Sequence, residues 1–453
     1  MKKRIICIIT ILMVLFVMQA VPVCAADSMP SVKCSGAILV DYNTGKVLYE
    51  KNADTEIPPA STTKIMTCML VLERKSLSDE VTVPAAAAGM SGNTMKLKKG
   101  EVLTVRQLLY ALMLHSANDA AVALAIDVSG SVDSFCDLMN QKAAQLGADS
   151  THFISPNGFT NSSRHHTTAR DMSVIASWAM KNSTFRKLVR TSRYVIPATN
   201  KSARRVMKTT NKLLYDTKKK DSITVNGEKR TPKYKGTIGI KTGFMAASGY
   251  CLVAAAKQKD TEYIAVVLKS PTDLNRYSDA VTMLDYGFDN FYTSKLYAPG
   301  ADTGRVKVKY GHKTHVRTTV PNGAYITLPT DGAANLGSSK IVLYKNVKAP
   351  VKKGTKVGVV NIYEDGVKTD TADILISESV GKGGPWAAWY ISDMTAALAA
   401  AAVCIIIVLL IIIRSRRRRA RRKREASLRA AREERAMQIA AERAEKARRG
   451  WPY

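Results

Sequence analysis

Acidic residues are scarce in this 453-residue chain: 37 Asp and Glu stand against 68 Lys and Arg, for a formal net charge of +31. The 7 cysteines and 6 histidines form no cluster with metal-ligand spacing, and no glycine-rich phosphate loop occurs, so neither a metal nor another cofactor is expected. Cys7 and Cys24 fall in an N-terminal apolar leader and Cys404 in a C-terminal apolar run. That leaves Cys34, Cys68, Cys136 and Cys251, whose apolar neighbours mark small buried hydrophobes rather than a disulfide framework. Glutamate is absent between residues 116 and 241 apart from Glu228, which lies in an Asn-Gly turn. The basic excess raises the question of nucleic acid, but no recognisable binding module accompanies it.

What the chain does contain is an ordered set of three motifs: Ser61-Thr-Thr-Lys64, Ser116-Ala-Asn118 and Lys241-Thr-Gly243. Pro58 and Pro59 close the preceding segment, and Ile65, Met66, Met69, Leu70 and Leu72 recur at near-helical spacing, predicting a helix from Ser61 to about Arg74. Side chains three apart on a helix are neighbours, so Lys64 lies beside Ser61. A serine hydroxyl needs a base to take its proton, and a lysine can serve once burial or nearby cations depress its pKa. Ser116 and Asn118 fall at the junction of two apolar helical stretches, where a short loop presents a hydroxyl and an amide to a cleft. Lys241-Thr-Gly243 ends an alternating run, and Gly249 begins the next strand of a hairpin. Lysine and threonine at a strand edge suit a carboxylate, and glycine lets a substrate backbone approach.

Each motif except the third has a look-alike. Ser379-Val-Gly-Lys382 repeats Ser-x-x-Lys in a Gly-rich stretch without helical text, while Ser91-Gly-Asn93 and Ser155-Pro-Asn157 repeat Ser-x-Asn in a polar loop and a turn. Lys-Thr-Gly occurs once.

From about Gly36 to Phe291 the sequence resembles low-molecular-weight penicillin-binding proteins, the serine-type D-alanyl-D-alanine carboxypeptidases of the peptidase S11 family. The resemblance rests on Pro59-Ala-Ser-Thr-Thr-Lys-Ile-Met66, Leu114-His-Ser-Ala-Asn-Asp-Ala-Ala121, Thr167-Thr-Ala-Arg-Asp-Met172 and Leu284-Asp-Tyr-Gly-Phe288, in that order. It resumes at Ala349-Pro-Val-Lys-Lys-Gly-Thr-Lys-Val-Gly358, which is similar to the smaller β domain many of these enzymes carry. It implies that peptidoglycan stem peptides are the substrate and β-lactams are covalent inhibitors, with Ser61 as nucleophile, Lys64 as its base and Ser116 as a proton relay helped by Lys241. It further implies that Asn118 binds the acyl chain, that Lys241 and Thr242 hold the terminal carboxylate beside Gly243, and that the backbone N–H groups of Ser61 and Phe244 form an oxyanion hole. Arg276 matches a basic position expected to help anchor that carboxylate, with a surface arginine as the equal alternative. His166 is a candidate to line the cleft, and His115 a weaker one. After Gly243 the family's usual threonine is missing, and Met245 and Ser248 put substrate-side hydrogen bonding in question. Three other readings stay open: a D,D-endopeptidase or a β-lactamase of the same fold, and a non-catalytic wall-binding adaptor.

Met1-Lys-Lys-Arg4, the apolar run to Val17 and Val23-Cys-Ala25 read as a signal peptide over 1–25, cleaved after Ala25 or Ala26. Thr395 to Ile413 holds 19 uncharged residues, about 28 Å of helix and close to the thickness of a bilayer core. Trp386, Trp389 and Tyr390 precede it, and Arg414 and Arg416 to Arg419 follow. The positive-inside rule then sets residues 414–453 in the cytoplasm and the catalytic domain outside, at the cell membrane. That tail carries 16 Lys and Arg against 5 Glu. The basic remainder suits a wall of anionic polymers, and the basic stretch 201–235 is expected to form exposed hairpins.

The expected architecture is α+β of the penicillin-binding/β-lactamase-like kind: an antiparallel sheet packed with helices and carrying a helical insertion over 27–295. A small all-β domain at 296–378, a linker at 379–394, the transmembrane helix and the tail follow.

Overall fold

The computed structural model describes residues 29–217, 221–331 and 337–450. The expected signal peptide and Lys218-Lys-Lys220 lie outside the described residues. Two compact units emerge. The first comprises the chain up to Leu296 with 325–338 and 364–367, and the second comprises 297–324, 339–363 and the chain from Lys368 onward.

The first unit is built on five antiparallel strands: β1 (Gly36–Asp41), β2 (Val47–Lys51), β3 (Thr237–Met245), β4 (Gly249–Gln258) and β5 (Thr261–Ser270), in the order β2-β1-β5-β4-β3. Side chains alternate between the two faces of a strand, and here both faces are covered. Ile38, Val40, Val253, Ala255, Ile264 and Val266 point into one core. Ala37, Leu39, Leu252, Ala254, Ala265 and Val267 point into the other. This double burial explains why β4 and β5 are apolar almost throughout rather than alternating with polar residues.

The first core is closed by the helical insertion: α1 (Lys64–Arg74), α2 (Val105–Leu114), α3 (Asn118–Ser129), α4 (Val132–Leu146), α5 (Ala169–Met180) and α6 (Ser183–Arg190). The second is closed by α7 (Asp273–Asn290), which buries Tyr277, Ala280, Val281 and Leu284. Helix starts follow the sequence. Thr104 and Gln107 make a reciprocal capping box on α2, and Ser131, Thr168, Asn182 and Thr272 cap α4, α5, α6 and α7. Among the described residues, the stretch expected to form hairpins (201–235) contains one whole hairpin, Ile223–Val225 with Glu228–Arg230, and the second strand of another, Arg205–Lys208, whose partner Arg193–Ile196 precedes it.

The second unit contains β6 (Ala301–Lys309), β7 (His315–Val320), β8 (Ser338–Leu343), β9 (Val347–Lys348), β10 (Lys356–Glu364) and β11 (Val367–Ile376), ordered β8-β10-β11-β7-β6-β9. Val306, Val308, Val316, Val320, Ile362 and Ile374 fill its interior. The stretch expected as a linker is tied down by bridges from Val380 to Val351 and from Lys382 to Gly311, then forms a 3-10 turn at Pro385–Trp389. Beyond it, α8 (Asp393–Arg448) runs for 56 residues without a break. The apolar run and the basic tail as far as Arg448 are therefore one helix, about 84 Å long at 1.5 Å per residue. Its apolar part is long enough to cross a membrane and is not buried against the rest of the protein.

Candidate active site

Ser61 is not in the α-helix itself. Ala60–Thr63 form a 3-10 turn that leads directly into α1 at Lys64. In a 3-10 turn residues three apart eclipse one another, and Lys64 Nζ lies 2.8 Å from Ser61 Oγ. The turn is clamped from two sides. Thr63 Oγ1 donates to the Ala60 carbonyl at 2.7 Å and lies 2.9 Å from Nε2 of buried His165. Gly158 presses against the same carbonyl: at φ +75°, a Cβ there would lie 1.9 Å from the Ala60 oxygen. Ala60 has φ 48° and Ser116 φ 60°, left-handed values that non-glycine residues adopt at a cost and that gather at functional sites.

Lys64 is fully buried and contacts three oxygens: Ser61 Oγ, Asn118 Oδ1 at 2.9 Å and the Asn157 carbonyl at 2.7 Å. The two carbonyl-type oxygens can only accept. A neutral amine has two N–H donors and one lone pair, so satisfying both leaves the lone pair for the Ser61 hydroxyl proton. Burial holds the Lys64 ammonium well below the usual lysine range. The Lys241 cation adds to that effect and the Asp119 carboxylate opposes it. The base condition derived from the motif spacing is thus met by burial first and charge second.

Ser116-Ala-Asn118 sits between α2 and α3 as expected. Asn118 is a hub: Oδ1 accepts from Lys64, Nδ2 donates to the Ser91 carbonyl at 2.9 Å, and its backbone N–H donates to the Asn93 carbonyl at 2.7 Å. Buried Asp119 holds the same loop, accepting from the N–H groups of Met95 and Leu97 at 3.0 to 3.1 Å. Burial raises its pKa, against those backbone donors. The two Ser-x-Asn look-alikes therefore serve the site without being the motif. Gly92 and Asn93 line the cleft, and Pro156 and Asn157 accept from Thr67 Oγ1 and Lys64 Nζ through their carbonyls.

Lys241-Thr-Gly243 lies inside a strand rather than at its end, because β3 continues to Met245, pairing Phe244 with Tyr250 and Met245 with Gly249. β3 is the sheet edge, and Gly243 abuts the 3-10 turn that carries Ser61: a Cβ there would be 3.1 Å from both Ser61 N and the Pro59 carbonyl oxygen. Thr242 Oγ1 is 2.6 Å from Thr210 Oγ1, and Lys241 Nζ donates to the Thr242 carbonyl at 2.9 Å. Burial and then the Arg276 cation push the Lys241 pKa down to about 7.

Ser61, Ser116, Asn118, Thr210, Thr242, Gly243, Phe244 and Arg276 share a cleft of about 300 Å³, with Gly92, Asn93 and Phe159 on its rim. Arg276 is not a free surface arginine. It is buried, donates through Nη1 to the carbonyls of Gly243 at 2.8 Å and Cys251 at 3.3 Å, and pairs through Nη2 with Asp273. Phe244 is 54% exposed and stacks on Tyr250. Met245 and Ser248 do not line the cleft, and Ser248 is fully buried, so the departure from the family pattern bears on the hairpin end rather than on the cleft wall. His166 and His115 do not line it either. His166 Nδ1 is 3.2 Å from the Ser163 carbonyl oxygen, and the histidine that reaches the Ala60–Thr63 turn is its neighbour His165, whose pKa burial lowers to about 4. The four cysteines expected to be buried are buried and unpaired.

A model of the D-alanyl-D-alanine carboxypeptidase family, peptidase S11, matches residues 24–272. The chain belongs to this family. The C-terminal domain of penicillin-binding protein 5 matches residues 291–382. D-alanyl-D-alanine carboxypeptidase DacF of Bacillus subtilis is 32% identical over 357 residues, which cover 78% of this chain and 87% of that protein. The structure of penicillin-binding protein 5 from Haemophilus influenzae superposes with a TM-score of 0.61 at 29% identity, covering 78% of this chain and 99% of that one. A mutant DD-transpeptidase of Streptomyces K15 does so at 0.50 and 37% identity, covering 57% and 99%. This carboxypeptidase-family chain is thus a hydrolase of the penicillin-binding protein 5 type, a group for which peptidoglycan substrates and β-lactam binding are typical.

Proposed function

We propose that the chain is an exported, membrane-anchored serine carboxypeptidase that removes the terminal D-alanine from peptidoglycan stem pentapeptides. Ser61 Oγ attacks the carbonyl between the two D-alanines while its proton passes to the lone pair of neutral Lys64. The backbone N–H groups of Ser61 and Phe244 receive the oxyanion, a contribution of about 3 kcal/mol per donor in such sites. The C–N bond then breaks, the leaving amine takes a proton by way of Ser116, and free D-alanine departs from a Ser61 ester. Water adds to the ester and returns the serine. Asn118 binds the acyl chain, and Lys241 with Thr242 holds the terminal carboxylate, Thr242 being aligned by Thr210. Arg276, at the edge of the cleft, fixes the Gly243 carbonyl and keeps positive potential next to Lys241.

One observation carries this reading: Lys64 Nζ lies 2.8 Å from Ser61 Oγ with two obligate acceptors on its other sides. The apolar leader at 1–25, the apolar run at 395–413 and the arginine block after it support a reading in which a single span anchors the chain with catalysis outside the membrane. The test is mass spectrometry of a pentapeptide muropeptide incubated with the full chain in detergent. Loss of one D-alanine is expected, with none for Ser61→Ala; equal activity in that variant contradicts the proposal. Cleavage of cross-linked dimers without loss of terminal D-alanine would instead mark an endopeptidase.

A further inference from the structure

A second cavity, of about 760 Å³, opens at the other end of the strand that carries the Lys-Thr-Gly motif. Its wall includes Ile238, five residues before Gly243 and so about 16 Å away along β3. Arg186, Lys187, Arg190, Lys233, Lys235 and Lys257 line it, and no acidic residue among the described residues does.

Two of these six are neutralised. Arg186 makes a bidentate pair with Glu262 at 2.7 to 2.8 Å, and Lys233 Nζ meets Asp216 at 2.8 Å. Lys187, Arg190, Lys235 and Lys257 are exposed and have no acidic partner among the described residues. Their placement is fixed by the fold. Phe185, Leu188 and Val189 anchor the inner face of α6, which turns Lys187 and Arg190, three residues apart, outward side by side. Lys257 donates its backbone N–H to the Gly236 carbonyl at 2.9 Å, locking the loop that carries Lys235 against β4. Part of the charge on Lys187 and Arg190 complements the carbonyl end of α6; Lys235 and Lys257 have no such role.

Four unpaired like charges around a concave surface repel one another and focus a positive potential that draws a counter-charge. Their exposure and spacing suit several weak contacts along an extended chain rather than tight enclosure of one anion. Beneath them Leu213, Tyr234 and Ile238 supply an apolar floor for the uncharged backbone of such a chain. We propose that this groove binds a linear phosphodiester polymer, holding the protein on a polyanion with the cleft one strand length away.

Lysine footprinting by acetylation and mass spectrometry on the full chain in neutral detergent tests this, because it reads each site apart from the basic tail. Poly(glycerol phosphate) is expected to slow acetylation of Lys187, Lys235 and Lys257 while exposed Lys340 is unaffected. The protection should weaken about tenfold or more between about 50 and about 200 mM salt. In Lys187→Gln/Arg190→Gln/Lys257→Gln, Lys235 should lose protection while Ser61 still labels with a fluorescent penicillin. If that variant labels poorly, Lys235→Gln alone should reduce protection of Lys187 and Lys257. Equal protection of Lys340, no protection, or stronger protection by inorganic phosphate, polyglutamate or phosphatidylglycerol vesicles overturns the proposal.

Discussion

Ser379 lies on an exposed, extended stretch where its hydroxyl accepts the backbone N–H of Lys353 at 2.8 Å, and Lys382 is exposed three residues on. Ser61 lies in a 3-10 turn with the amine of Lys64 2.8 Å away and fully buried. In extended backbone, residues three apart sit about 10 Å apart on opposite faces, whereas the turn stacks them. The letters are shared, but three conditions separate the two sites: the helical turn that brings oxygen and nitrogen together, the burial that favours a neutral amine, and the carbonyl acceptors that aim its lone pair.

Removing those conditions one at a time should grade the loss. Lys64→Met removes the proposed base of Ser61, and the penicillin acylation rate should fall by about 10² to 10⁴, while Lys382→Met should leave it unchanged. Gly158→Ala keeps both motif residues but forces the Ala60 carbonyl to move. A misplacement of about 1 Å is expected to slow acylation about 10²-fold, seen as a reduced rate with full final labelling.

The pH profile of kcat/KM isolates the burial condition. With Lys64 as the proposed base, active as the neutral amine, activity should rise as pH passes its depressed pKa. With Lys241 in its proposed role as the carboxylate-binding cation, affinity for a carboxylate-ended peptide should fall as pH rises through about 7. The alkaline fall should disappear for a peptide ending in a carboxamide; its persistence would contradict the role given to Lys241. The smallest effect belongs to the loop. Asp119→Asn weakens the anchor of Met95 and Leu97 and should raise KM about tenfold with kcat nearly constant, measured by steady-state release of D-alanine.

The sequence made legible what is local. The Ser61–Lys64 pairing, the helix junction at Ser116 and the β3–β4 hairpin are set by spacing and turn chemistry within a few residues. The resemblance extended this to the order of the motifs and to the smaller β domain. What stayed hidden comes from distant chain or from backbone. The Asn157 carbonyl that orients Lys64 has no side-chain letter, and Gly158, Thr210 and His165 reach the site only through tertiary packing. Asp119 could have been found from its place directly after the Ser116-Ala-Asn118 motif. His166 was the better-looking histidine because it borders Thr167-Thr-Ala-Arg-Asp171, yet one position earlier the chain turns inward. The sequence around Arg276 suits a surface and an anchoring residue equally, and the helix α7 buries it against β3 and β4.

Peptide mapping after exposure of the full chain to benzylpenicillin tests the central claim most directly. A covalent penicilloyl adduct is predicted on the Ser61 hydroxyl alone, absent from Ser61→Ala and retained in Ser379→Ala. An adduct on any other residue, or none in a folded chain, would contradict the account.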